Sequence, residues 1–382
     1  MTRDTRINTL NIGLMIFSCI AAFIMPFEVF LFAYAFMGPL HYLTEISWLH
    51  DRQYFAKGKY DFLVLLIIGV VLSLWDFASN YHWWPFNTED NIEMARSWNI
   101  YQKLLFIAFF SGIIVAFVKN HILKIVGIAL VFFVSMGVYG PLYNDHMNEE
   151  GAQEGTLTML LTSFVPTLIH VYIFTGLFML YGALKSRSKS GIWSVVVLVI
   201  CPLLLFFLFR EQSFVHVTEY GKQAYGTPLS NTGFFSLNQE ILSRFFDQKL
   251  TIPATITTNE QYQHFYDLEW TKRVFHSSTG IIVTRFIAFA YMYHYLNWFS
   301  KTEVIRWHKV PKARFVVVII VWLISLALYA YSYRVGLQWL FFLSFTHVLL
   351  EFPLNFTSMV GIVKEFGTIR KNGFKPIPQK AK

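Results

Sequence analysis

"GPLHYLTEISWLHDR", residues 38–52, closes an apolar run that begins at Pro26, and it carries His41, Glu45 and His50. Water is absent from a bilayer core, so a polar side chain there needs a partner or a task. Whether this run lies in lipid decides the fold, and composition answers the question. Of 382 residues, 55% are hydrophobic and 19% aromatic, and only 14% are charged. Soluble domains carry about 25% charged residues, and a soluble chain of this size could not cover its apolar surface with so few. The sequence reads as an all-α, polytopic integral membrane bundle forming one membrane domain.

A spanning helix needs about 20 largely apolar residues. Ten stretches qualify: 9–25, 27–49, 61–78, 100–118, 122–139, 157–184, 191–210, 279–299, 313–335 and 337–362. The break between the first two rests on Pro26. The first run follows "MTRDTR" and resembles a signal peptide, but no small-x-small cleavage site follows, so it reads as a retained helix. The expected organisation is helices 1–7 within 1–210, an extracytoplasmic loop or cap over 211–278, helices 8–10 over 279–362 and a cytoplasmic tail over 363–382. The segment 211–277 is turn-rich and only weakly periodic.

Short basic loops set orientation. Lys and Arg collect in alternate loops: Arg3 and Arg6; Arg52, Lys57 and Lys59; Lys119 and Lys124; Lys185, Arg187 and Lys189; Lys301 to Arg314; and the tail. The intervening loops "NYHWWPFNTEDNIEMARSW" and "NDHMNEEGAQEG" are acidic and nearly free of them. Both termini are therefore expected in the cytoplasm, with the protein in the cell's inner membrane. The net charge of +8 lies in these loops without interleaved stacking aromatics, so it does not indicate nucleic-acid binding. Cys19 and Cys201 both sit in apolar runs and offer no disulfide framework.

Four histidines fall well inside apolar helices: His41, His170, His294 and His347. In the ten-helix topology their helices run parallel. At 1.5 Å per residue, depths of roughly 5 to 15 residues from the cytoplasmic ends put the imidazoles in one band. His41 and Glu45 are four apart, as are His347 and Glu351, and that spacing shares a helix face. Imidazole suits iron, zinc and copper, and a metal-bound His often gives its other N–H to a carboxylate. The four histidines are thus candidate metal ligands, with Glu45 and Glu351 orienting them or ligating directly. A membrane His can instead hydrogen-bond a neighbouring helix. His50 and Asp51 read as interfacial, and Arg285 as snorkelling or pairing with loop acids. Pro39, Pro166 and Pro353 flank the histidines and can bend their helices. Tyr42, Tyr172, Tyr291, Tyr293, Tyr295 and Trp298 crowd the same segments; they could line a tunnel for a long apolar substrate or simply pack. The chain has no HExxH, no HxxHH, no Walker motif and no nucleophile elbow.

Gly38, His41 and Glu45 resemble the early motif of the Brp/Blh family of membrane-bound beta-carotene 15,15'-dioxygenases: a Gly, a His three positions on, and an acid four beyond. "FTHVLLE", with His347, resembles that family's late helix histidine; His170 and His294 match it as isolated helix histidines. Tyr42 and Ile46 stand where the family has His-Gly and Asp-His dipeptides. The resemblance covers short patches on four helices. It implies non-haem Fe(II), O2 as co-substrate, and cleavage of a carotenoid to retinal or another apocarotenoid. From the residues alone, three alternatives stay open: a dimetal fatty-acid hydroxylase or desaturase, a bis-His haem electron-transfer protein, and a proton-coupled transporter.

Overall fold

In a computed structural model of the chain the described residues are 2–139, 160–208, 215, 217–228, 233–306 and 309–375. The acidic loop 144–155, parts of the expected cap, His146, His216, His308 and the end of the tail lie outside them. Every regular element described is helical, as the composition requires. In chain order they are α1 Arg3–Ile24, α2 Pro26–Asp51, α3 Leu63–Asn80, α4 Glu89–Ser97, α5 Ile100–Phe117 and α6 His121–Tyr139. There follow α7 (Leu160–Phe174, continuing through Thr175–Ser186), α8 Lys189–Leu208, α9 Glu219–Tyr225 and α10 Gly233–Phe245. The chain ends with α11 Asn259–His276, α12 Ser278–Ser300, α13 Lys312–Tyr331 and α14 Tyr333–Asn372.

Eight of these are long and apolar enough to cross a membrane: α1, α2, α3, the α4–α5 run, α7, α8, α13 and α14. The fifth and eighth expected spans are also helices. Among the described residues α6 is apolar over His121–Gly137. α12 has 23 residues, but Arg285, His294, Asn297 and three tyrosines dilute its apolar character. Large side chains stay uncovered on helix faces, among them Phe17, Ile20, Ile125, Phe133, Phe207 and Val317, as lipid contact requires.

Pro26 separates α1 from α2 because it has no N–H to continue the ladder; the last bond of α1 is Met25 N–H to Ala21 O. α2 then runs to Asp51, carrying the helix past His50. α14 has 40 residues, about 60 Å at 1.5 Å per residue, twice the hydrocarbon thickness of about 30 Å. It therefore takes in residues expected to begin the tail. The segment 211–277, which looked turn-rich, contains α9, α10 and α11. Their ends are set by caps: Thr218 accepts from Gly221 N, and Thr258 with Gln261 forms a capping box.

The chain divides into two compact units. The first comprises Met1–Gly38, Ser188–Val304 and Leu326–Gly336. Here α1 packs against α8 and α12. Its buried polar groups close on one another: Tyr293 OH and Ser300 Oγ each donate to Asn11 Oδ1 at 3.1 Å, and Asn11 Nδ2 donates to Ile7 O at 2.9 Å. Edge-to-face rings fill the space beside them, such as Phe30–Phe234 with centroids 4.7 Å apart. Arg285 does not snorkel as expected. It is wholly buried, donates from Nε to Phe23 O at 3.0 Å, and lies 4.1 Å over the Phe23 ring.

The second unit comprises Pro39–Arg187, Ile305–Ser325 and Leu337–Lys382. Leu65, Ile68 and Leu72 of α3, Leu105 and Ile107 of α5, Val165 of α7, and Leu349, Phe352 and Phe356 of α14 form its core. Two glycines let α14 approach closely. A Cβ on Gly69 would stand 2.7 Å from Thr346 Oγ1, and one on Gly112 would stand 2.8 Å from Phe352 Cβ. Small residues at helix crossings serve this purpose in membranes. Here they seat the stretch of α14 that holds His347 and Glu351.

Candidate metal centre

Three helices of the second unit bring His41 (α2), His170 (α7) and His347 (α14) together, buried to 1%, 2% and 2% exposure. Two of these helices are locally widened. π turns occupy Ala33–Met37, just before His41, and Leu160–Phe174, around Pro166 and His170. A π turn adds a residue per turn and re-aims the side chains that follow, a common device at functional sites.

The imidazoles meet edge to face. Ring centroids are 4.9 Å apart for His170–His347 and 5.4 Å for His41–His347, at 79° and 81°. His347 Nε2 faces His170 Nε2 at 3.1 Å. On its other side His347 Nδ1 lies 3.3 Å from Leu343 O, so Nδ1 carries the proton and Nε2 presents its lone pair. Tyr42 lies flat against the His347 ring, centroids 4.3 Å apart at 26°, and helps fix its plane.

Carboxylates stand behind two of the rings. Glu45 Oε2 lies 3.0 Å from His41 Nε2, and Glu351 Oε2 lies 2.9 Å from His170 Nδ1. Both approaches are at ion-pair distance but oblique to a hydrogen bond's direction. The first pair is the one that helical spacing predicts. The second is not: Glu351 serves His170 on α7 rather than His347 on its own helix. Pro166 and the π stretch turn His170 toward α14, and the backbone carbonyl of Leu343 already occupies His347 Nδ1. The two carboxyls also adjoin each other.

His294, on α12 of the first unit, is 7% exposed and lies edge-on to Tyr295, centroids 5.5 Å apart. The buried histidines of the second unit, His41, His170 and His347, could hold a metal ion. The spacing of the His170–His347 pair suits that role. Two nitrogens bound to one ion at about 2.1 Å stand about 3.0 Å apart at a right angle and about 3.4 Å apart at the tetrahedral angle. The 3.1 Å between His170 and His347 falls in this interval. The donor set, neutral imidazole backed by carboxylate and carbonyl, is the usual environment of a bound first-row metal.

His50 is exposed, and its neighbour Asp51 pairs with Arg314 at 2.8 Å, as expected for interfacial residues. One buried residue went unnoticed in the sequence. Asn355 is 1% exposed, and neither atom of its amide has a hydrogen-bond partner. Its signal was positional: it follows Glu351 by four and His347 by eight on α14.

Fold and site together define a helical, multi-pass membrane protein with a buried histidine group able to hold a metal. Comparison of the chain with protein-family models, with curated proteins and with solved structures finds no match.

Proposed function

We propose that the protein is an integral membrane non-haem iron oxygenase acting on a carotenoid or another long apolar lipid. One observation carries the reading: two imidazole nitrogens face each other at 3.1 Å inside apolar helices, with a carbonyl behind one ring and a carboxylate behind the other. Two lone pairs so placed repel unless a cation or a proton lies between them. His41, His170 and His347 would be ligands as neutral imidazoles, and His294 is the fourth ligand expected from the sequence. Iron supplies the capacity to activate O2. Glu45 and Glu351 orient His41 and His170 and offset positive charge. The apolar surroundings exclude water, and the bilayer delivers the substrate laterally. The resemblance to carotenoid-cleaving enzymes supports this substrate class, and the absence of any phosphate- or nucleotide-binding motif agrees with it. Three imidazoles knotted together leave no slot for a porphyrin among them, which favours the non-haem form.

A second reading has its own support. The same contacts close without metal if Glu351 is protonated and passes a hydrogen bond through His170 to His347, as in a proton-coupled transporter. Expression in carotene-producing cells separates the two. Retinal or another apocarotenoid should appear, together with iron on the purified protein. Unchanged carotenoids with new hydroxylated or desaturated fatty acids would shift the substrate to an acyl chain. A metal-free protein active only in sealed vesicles would replace the oxygenase with the transporter.

We also propose cytoplasmic termini and an external 211–278 segment, from the alternation of basic and acidic loops. A single cysteine at Glu260 should react with impermeant reagent in intact cells, and one at Ser188 should not. The opposite pattern overturns the topology.

A further inference from the structure

We propose that Glu45, Glu351 and Asn355 bind a second divalent cation beside the histidine centre, making it binuclear. The inference rests on the metal-centre reading above. Three observations within the second unit carry it.

The first is charge. Glu45 and Glu351 are 2% and 3% exposed and adjoin each other. Among the described residues their only ion-pair neighbours are His41 and His170, and no Lys or Arg reaches them. Two carboxyls taken out of water together cannot both stay ionised beside neutral imidazoles; a shared proton or a cation between them closes the charge. A cation on the histidines supplies part of the positive charge from the far side of the rings.

The second is direction. Each Oε2 approaches its ring nitrogen obliquely, so the oxygen's lone pairs are not spent on the ring. The pair can converge on a common atom, the usual behaviour of carboxylates shared by two metals.

The third is Asn355. An amide buried with both ends unsatisfied costs several kcal/mol in an apolar setting, and such a side chain calls for a ligand. Asn355 stands one helical turn beyond Glu351, on the same face. Helical side chains lean toward the N-terminus of their helix, so the Asn355 side chain leans toward Glu351. Two carboxylates and an amide oxygen make a hard set, which suits Mn(II) or Fe(II) over copper.

The test is stoichiometry. Purified full-length protein is loaded with Mn(II), desalted and analysed for metal per chain, and its EPR spectrum is recorded. The proposal expects two Mn(II) per chain with an exchange-broadened signal. Asn355→Leu, which keeps the volume and removes the amide, should fall to one Mn(II) with an isolated six-line signal. Asn355→Asp, which restores an oxygen ligand, should return to two. One Mn(II) per wild-type chain, or two retained in Asn355→Leu, overturns the second site and leaves the histidine centre standing. No bound Mn(II) or Fe(II) in the wild type overturns both.

Discussion

Asn11 in the first unit and His347 in the second are equally buried, at 2% exposure. Asn11 engages both ends of its amide: its nitrogen donates to Ile7 O, and its oxygen takes hydroxyls from Tyr293 and Ser300. His347 anchors one nitrogen on Leu343 O and turns the other on His170, nitrogen to nitrogen. The first arrangement is closed and needs nothing from outside. The second closes either with a cation on the two nitrogens or with His170 in the tautomer that carries its proton on Nε2. Buried polar groups that hold helices together finish their own hydrogen bonds; groups kept for chemistry leave a direction to be filled. The difference teaches which buried polar residues to treat as scaffold and which as site.

If that division is right, substitutions in the two regions should separate into different readouts. Apart from the histidines themselves, the largest effect should come from Glu351→Gln. It keeps the shape and removes the charge behind His170, so metal affinity should drop roughly 10- to 100-fold, as for carboxylates behind metal-bound histidines, with little change in thermal stability. A loss of histidine-bound metal as deep as for a histidine would make Glu351 a direct ligand of that ion as well as of the second cation. Asn11→Leu should do the reverse. It removes the acceptor shared by the hydroxyls of Tyr293 and Ser300, which keep Asn297 as their partner, and should cost about 1 kcal/mol of stability, read as a lower melting temperature in detergent, with metal content unchanged. Metal loss in that variant would break the division.

Gly112→Ala probes how the core of the second unit supports its site. The new methyl meets Phe352 Cβ, and overpacking of this kind costs about 1–3 kcal/mol. Because Phe352 adjoins Glu351 in sequence, both stability and metal affinity should fall. A purely structural contact would lower stability alone.

The smallest effect belongs to Tyr225, outside the spans. Burial pushes its hydroxyl up to about 12, while hydrogen bonds with Asn238 and Thr284 pull the other way. The folded chain therefore holds this proton more tightly than the unfolded chain, whose tyrosines titrate near about 10. The stabilisation is full below pH ~10 and lost as pH rises through ~12. Tyr225→Phe should cost about 1 kcal/mol at neutral pH and flatten the alkaline limb of the stability curve. An unchanged alkaline limb would contradict the burial of a protonated Tyr225 hydroxyl beside Asn238 and Thr284.

How much was legible in the sequence follows from range. Helix positions were readable because an apolar run of spanning length has few alternatives in lipid, and Pro26 marked the first break. His41 with Glu45 was readable because one helix face sets that spacing. The partner of Glu351 was not readable: a π stretch around Pro166 re-aims His170, and only packing reveals that its ring reaches α14. The helices of the 211–277 segment were hidden by polar, weakly periodic sequence that is organised by end caps. Arg285 was misread because a charge in a span usually seeks the interface, and its backbone partner, Phe23, lies on another helix.

The central claim is that four helix histidines act as one metal-binding unit. The most direct test is iron per chain in the wild type and in His41→Ala, His170→Ala, His294→Ala and His347→Ala, with His276→Ala, an exposed histidine of α11, as control. The account predicts iron in the wild type and the control, and loss of most of it in each of the four. Full iron content in the four variants, or none in the wild type, would contradict it.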